Sequence, residues 1–420
     1  MQIKEYLNKV NEISMERNIE NTSHLAKHVR DIVVILTASR GGSSLFKEAL
    51  TRSTELLFTS GEESPFLTLT ENEFPFVDSD KLLPGKIKRK DELISNIFDD
   101  LGLRLTSVDE LELDEFIELM RKRLLLQLPS SELNLSSENL ESIFVRLFED
   151  HRFWAGNYDE LIRKFLIELT KGKNKKWLFF YDTFLNGPKE LHYPLEFKIE
   201  DTPFVVPKLK QKLKKSDLQE HSLVFKTPQN SYRIGMFEEL FPNANIKYVH
   251  MTRGFAQSVN GLMDGWIHNK GFFAKNVSIH GHELNIKGYS DLKPYGKKWW
   301  KFDMPPNWLD TVNSPLEEVC LNQWASAHEY SLTTISDLNY IQIKFEDFLN
   351  NPQKIMNRVT DFVGVSPISV SNLPLVMVTK KPRKYRWHKR KEMLRRLAKT
   401  ERVTSLMKNL NYTMDEDTWI

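Results

Sequence analysis

The chain has 420 residues, 40 % of them hydrophobic and 28 % charged, with a formal net charge of +2. That length can bury a substantial core in one large or two smaller domains, the composition excludes a disordered or fibrous chain, and near-neutrality excludes a general electrostatic pull toward nucleic acid. A single cysteine, Cys320, excludes an internal disulfide, no run approaches the roughly 18 apolar residues of a membrane span, and the mixed-charge opening MQIKEYLNKVNEISMERNIEN lacks an apolar leader segment, which together fit a reducing, cytoplasmic setting.

Residues 1–30 mix apolar and charged positions at loose helical spacing and read as a leading helical arm before a domain over 31–420. Asp31–Thr37 is short, β-branched and nearly all apolar, as a strand covered on both faces should be. After Gly41 and Gly42 the spacing predicts a helix from Ser44 to about Leu57, with Leu45, Phe46, Ala49 and Leu50 on one side. A short apolar run at Leu56–Phe58 leads into Gly61-Glu62-Glu63. Residues 64–220, interrupted early by Pro65, Pro75 and Pro84, carry helical patterns at Val108–Leu128 and Leu140–Leu169, an aromatic strand candidate at Trp177–Tyr181 and a lysine-rich stretch to Lys215; they read as a helical insertion.

Regular alternation then resumes. Ser222–Phe225 and Ile246–Met251 are expected strands with a helix at Tyr232–Leu240 between them, and Arg253–Trp266 an expected helix. Residues 269–312 read as a long loop or lid, Glu317–Ile335 as a helix, Tyr340–Lys344 as a strand and Pro352–Val363 as a helix. Strands alternating with helices predict an α/β fold, a central parallel sheet of about five strands flanked by helices.

Within this pattern Ser39-Arg40-Gly41-Gly42-Ser43-Ser44 stands between a strand and a helix. A helix's first turn has backbone N–H groups without intrahelical partners and the positive end of the dipole; two glycines let the backbone curl toward an anion, and Arg40 adds a planar fork of donors. The segment therefore reads either as an anion cradle or as a tight turn with serine at the helix start. It is neither G-x-x-x-x-G-K-[ST] nor G-x-G-x-x-G, which leaves little for a P-loop kinase, the alternative reading beside a non-catalytic nucleotide-binding relative.

The loop resembles the first motif of the sulfotransferases that use 3′-phosphoadenosine 5′-phosphosulfate (PAPS), a strand followed by a loop like R-K-G-G-T-R that opens a helix. Phe225-Lys226-Thr227-Pro228, then Tyr232-Arg233 and Leu240-Phe241-Pro242, resemble the block before that family's second motif, and Lys247–Arg253 its strand ending in arginine. Ile343–Phe348 with Asn351-Pro352 resembles its "RYEDL…P" segment, and Lys384–Lys389 its basic C-terminal end. The resemblance spans residues 31–63 and 222–412. It implies a P-loop-NTPase-like fold and PAPS as co-substrate without a metal, with Arg40 neutralising the donor phosphosulfate, Gly41, Gly42, Ser43, Ser44 and Leu45 holding the 5′-phosphate, and Arg253 the 3′-phosphate. Lys384, Arg386 and Trp387 would close over the donor. The family's serine eight residues after that arginine is Gly261 here, so Ser258 or Asn260 is expected to supply the missing donor. Trp266 could stack on adenine or lie in the core, and Glu346 and Asp347 read as helix-capping groups.

Sulfuryl transfer needs a general base. The resemblance offers one route through a His two residues after the start of a Lys-Thr pair; here Pro228 stands at that position after Lys226-Thr227, so that route is absent. Gly61-Glu62-Glu63 is similar to the Gly-Glu-Glu of the tyrosine-directed branch, which makes Glu63 the expected base and Glu62 the second choice; otherwise both are solvated loop acids. The acceptor would be a small molecule, lipid or carbohydrate met by residues 64–220 and 269–312, whose aromatics include Phe144, Phe153, Trp154, Phe179, Tyr181, Trp299, Trp300 and Trp308. The twelve Lys and Arg of Thr379–Arg402 do not amount to a nucleic-acid surface, because aromatic interleaving is thin.

Overall fold

The computed structural model describes residues 1–103, 112–128, 133–150, 158–171, 194–201, 210, 213–269, 271–374, 376 and 383–419. Its strands are β1 (Asp31–Leu36), β2 (Leu56–Thr59), β3 (Leu101–Gly102), β4 (Ser222–Lys226), β5 (Asn245–Thr252), β6 (Phe273–Asn276), β7 (Trp299–Lys301) and β8 (Tyr340–Lys344). Six form one sheet in the order β3-β2-β4-β1-β5-β8, parallel except for β3, which runs antiparallel to β2.

Both faces of this sheet are buried, and the period-two side-chain alternation of a strand divides the core accordingly. Ile32, Val34, Leu36, Leu223 and Phe225 face one layer, where Tyr6, Val10, Leu93, Ile97 and Phe237 cover them. Val33, Ile35, Val224, Val249 and Met251 face the other, against Phe46, Ala49 and Leu50 from one helix and Ile355, Met356 and Val359 from another. Each such side chain, fully buried, contributes roughly 1.5–3 kcal/mol of transfer free energy. The fold is therefore the expected α/β one, a mostly parallel sheet between helical layers. The helices Leu113–Gln127, Ser137–Asp150 and Tyr158–Leu169 share an apolar cluster of their own.

Three expectations are corrected. The first helix is shorter, Ser43–Leu50, because the chain must turn back into β2. The Tyr232–Leu240 helix is a 3₁₀ turn at Pro228–Tyr232 followed by Met236–Leu240. Residues 269–312 are more than a loop or lid: β6 and β7 pair antiparallel, Tyr289, Trp299, Trp300 and Trp308 are buried in a cluster with the helices Phe255–Trp266 and Leu316–Ile335, and Phe272, Phe273, Lys275, Phe302 and Asp303 line a cleft. Trp300 and Trp308 are thus core and not acceptor contacts. So is Trp266, whose ring packs edge-on against Tyr289 and Trp300 while its Nε1 donates to Gln323 Oε1 at 2.8 Å. The strand expected at Trp177–Tyr181, with Phe153, Trp154, Phe179 and Tyr181, lies outside the described residues.

Parallel strands point their carboxyl ends the same way. The chain leaves β1 for β2 on one side and later returns to place β5 on the other, so the crevice beside β1 is the place where open α/β sheets bind ligands.

Candidate active site

Three strands deliver side chains to that crevice, a cleft of about 850 Å³. From β1 comes the phosphate loop. Arg40 adopts φ 63° and Gly42 φ 97°, so the backbone curls through two left-handed residues, one on each side of Gly41, before the helix begins. At Gly42 this requires glycine twice over, because a Cβ there would lie 2.3 Å from the Phe345 ring. Ser39, Arg40, Gly42, Ser43, Ser44 and Leu45 all line the cleft. Gly41 does not, and serves the curl instead, donating its N–H to Ala38 O at 3.0 Å.

From the end of β5 comes Arg253, whose Nη1 donates to the carbonyl of Arg40 at 2.9 Å. The two arginines are thus brought to one opening. Each guanidinium is braced on an aromatic face, Arg40 at 5.2 Å from the Phe272 ring and Arg253 at 5.0 Å from that of Phe345. Burial lowers the Arg253 pKa, an effect opposed by the nearby carboxylate of Glu346. Glu346 does not cap its own helix, as the sequence suggested. Its Oε1 accepts from the Gly254 amide at 3.0 Å and its Oε2 from the Tyr412 hydroxyl at 2.7 Å, pinning the backbone immediately after Arg253.

From the end of β4 comes Lys226, a residue that sequence reasoning passed over. Its Nζ lies 2.8 Å from Glu62 Oε1 and 3.3 Å from Ser44 Oγ, bridging an acid and the phosphate loop. The signal for it in the sequence is a lysine at the last position of a buried strand.

The two glutamates separate. Glu62 lines the cleft, and its Oε2 accepts from the Thr227 hydroxyl at 3.2 Å. Glu63, the first choice from sequence, is fully buried beneath the loop, where Oε1 accepts from the Lys226 amide at 3.1 Å; burial raises its pKa against the opposing pull of Lys47. Lys47 in turn ties the loop by donating to the carbonyls of Thr59 at 3.2 Å and Gly61 at 2.7 Å.

Ser258 is a further correction. It is buried in its helix, and its hydroxyl donates to the Arg253 carbonyl at 3.4 Å. Asn260 and Gly261 line the cleft instead. Lys384, Arg386 and Trp387 line it too, although Arg386 Nη2 is 2.8 Å from Asp264 Oδ2 and Trp387 Nε1 donates to the Trp419 carbonyl at 2.6 Å. Asp264 is held below the usual carboxylate range by hydrogen bonds and charge from Lys389 and Arg390, although burial opposes them. Among the described residues no group of three His, Cys, Asp or Glu side chains is placed to hold a metal ion, and no helix is long and apolar enough to cross a membrane.

No family model matches the chain, and no curated protein matches its sequence. The solved structures it is similar to are sulfotransferases. A sulfotransferase from Alicyclobacillus acidocaldarius is 11 % identical, with 93 % of this chain and 98 % of that one covered at a TM-score of 0.37. The sulfotransferase domain of the curacin biosynthetic pathway is 12 % identical over 92 % and 99 % at 0.34, and that of the Synechococcus PCC 7002 olefin synthase 13 % identical over 92 % and 96 % at 0.34. Overlaps this loose decide nothing about the chemistry.

Proposed function

We propose that this chain is a sulfotransferase that moves the sulfuryl group of PAPS to a hydroxyl of a small-molecule acceptor. The observation that carries the reading is the convergence of Arg40, Lys226, Glu62 and Arg253 on one cleft at the carboxyl ends of three parallel strands. The first-turn amides after Gly42, with Ser43 and Ser44, would hold the 5′-phosphosulfate, and Arg253 the 3′-phosphate. Asn260 and the basic residues Lys384 and Arg386 would close around the nucleotide.

In the transfer the acceptor oxygen forms a bond to sulfur as the bond from sulfur to the bridging phosphate oxygen breaks. The electron pair of that bond stays on the leaving phosphate, where Arg40 and Lys226 stabilise it. The hydroxyl proton passes to Glu62, which replaces Glu63 as the base because it alone of the pair reaches the cleft. No metal is needed for this step, since two cations and the helix start supply the positive field.

Two measurements test the reading. Adenosine 3′,5′-bisphosphate in magnesium-free buffer should raise Tm, by the equivalent of about 2.7 kcal/mol at a hundredfold excess over its Kd; a response to ATP with Mg²⁺ alone would favour a kinase. Glu62→Gln should lower kcat for sulfate transfer from labelled PAPS by about 100-fold with bisphosphate affinity unchanged. A full-rate Glu62→Gln enzyme removes Glu62 from the base role.

A further inference from the structure

The helix Phe255–Trp266 carries Asn260 and Gly261 side by side near its middle. Both are poor helix formers, and packing does not require the glycine: a Cβ there would find only Arg40 Cβ, at 3.7 Å, an ordinary contact. A local preference broken without a packing reason points to a functional position. Gly261 leaves the helix bare on the side that looks toward Arg40. The side chain that this turn brings to the cleft wall is that of Asn260.

Behind the wall, Asn260 and Asp264 stand four residues apart on one face of the helix, and Arg390 reaches both. Arg390 Nη1 donates to Asn260 Oδ1 and, at 3.3 Å, to the Asn260 carbonyl, and it lies 2.9 Å from Asp264 Oδ1. Asp264 is buried, and Arg386 and Lys389 meet the same carboxylate. Arg390 is thus seated by a fixed charge, and both it and Asp264 stand behind the cleft wall, not on it. A guanidinium has donors only. It can face the oxygen of a carboxamide but not the nitrogen, so Arg390 decides which way round the Asn260 amide stands and leaves Nδ2–H for the cleft.

Taking the PAPS reading as its basis, we infer that Asn260 selects a 3′-phosphorylated nucleotide over its 3′-hydroxyl counterpart, and that Arg390 is a positioning residue that sets this preference through the Asn260 amide. Nδ2–H donates to the phosphate that Arg253 holds from the end of β5. An untethered carboxamide could turn over and set its oxygen against the anion, whereas this one is held. A 3′-hydroxyl, able to donate as well as accept, gains little from a fixed donor.

The test is calorimetric titration of adenosine 3′,5′-bisphosphate, and separately of adenosine 5′-phosphate, into the full chain and three variants. Asn260→Ala should weaken the bisphosphate by about 10- to 100-fold, the loss of one hydrogen bond to a charged group, and leave the 5′-phosphate unchanged. Asn260→Asp keeps an oxygen for Arg390 but sets a second one against the phosphate, and should weaken the bisphosphate further. Arg390→Met should weaken it by about tenfold in the wild-type background and not at all in Asn260→Ala, the non-additivity of residues that act through one contact. Retained binding of the 5′-phosphate reports that each variant is folded. If Asn260→Ala weakens both nucleotides equally, or neither, Asn260 does not read the 3′-phosphate. If Arg390→Met costs the same in both backgrounds, Arg390 acts as a general cation and the positioning role is wrong. In those cases the transfer reading stands, whereas failure of the bisphosphate to bind the wild-type chain overturns both.

Discussion

Arg40→Ala should lower kcat by about 10²–10³, the cost of removing one preorganised group from a developing negative charge, roughly 2.7–4 kcal/mol. The residue earns this weight from three observations together. It sits in the phosphate loop, its backbone is left-handed at φ 63°, and its guanidinium is braced over Phe272. A left-handed residue bearing a Cβ costs about 1–2 kcal/mol, so the fold alone would favour glycine there. Arg40→Gly should accordingly be more stable than Arg40→Ala by about 1 kcal/mol and equally inactive. Single-turnover rates and urea midpoints on the two variants separate chemistry from folding. Equal stabilities would mean that the loop relaxes without strain, and substantial turnover in either would mean that Arg40 does not face the phosphosulfate.

What could be read from sequence was what local chemistry dictates. The run DIVVIL had to be buried on both faces, and it is β1; the Gly41-Gly42 pair had to permit a curl, and Gly42 takes φ 97°. The strand carrying Arg253 and the strand Tyr340–Lys344 followed from the same alternation. The parts that stayed illegible depend on long-range partners. β3 is only Leu101-Gly102, with its place set by the edge of β2, and β6 with β7 is a hairpin whose members are separated by more than twenty residues of turns. Nothing local separates Glu62 from Glu63. Which of two adjacent acids reaches the cleft is decided by the turn into the helix Ser64–Leu69, which places Glu63 under the Lys226 amide. Tryptophans 266, 300 and 308 had compositions suited to a ligand wall, but three indoles that pack edge-on against one another form a core.

The same limit hid the group whose loss should do most harm to the fold. Arg233 is fully buried: Nε donates to the Asp80 carbonyl at 3.0 Å, Nη1 lies 3.5 Å from Ser64 Oγ, and Nη2 pairs with Glu73 and lies 3.5 Å from Asp80 Oδ1. Lys275, which lines the cleft, shares both carboxylates, and Asp80 Oδ2 accepts from the Met304 amide at 2.6 Å. Burial pushes Asp80 up to about 6 even with Arg233 beside it. Arg233→Met would leave two buried carboxylates to one lysine, and should cost about 3–5 kcal/mol, read as a fall in urea midpoint at constant m-value. The pH dependence gives the mechanism its own check. A carboxylate whose folded pKa lies above its unfolded value opposes folding when ionised, and this penalty fades as protonation becomes complete. Removing Arg233 takes away the charge that holds the Asp80 pKa down against burial and so raises it further, and the deficit against wild type should be largest well above pH 6 and should shrink as pH falls through that range. A deficit that does not change with pH would assign the loss to packing of the guanidinium and not to its charge.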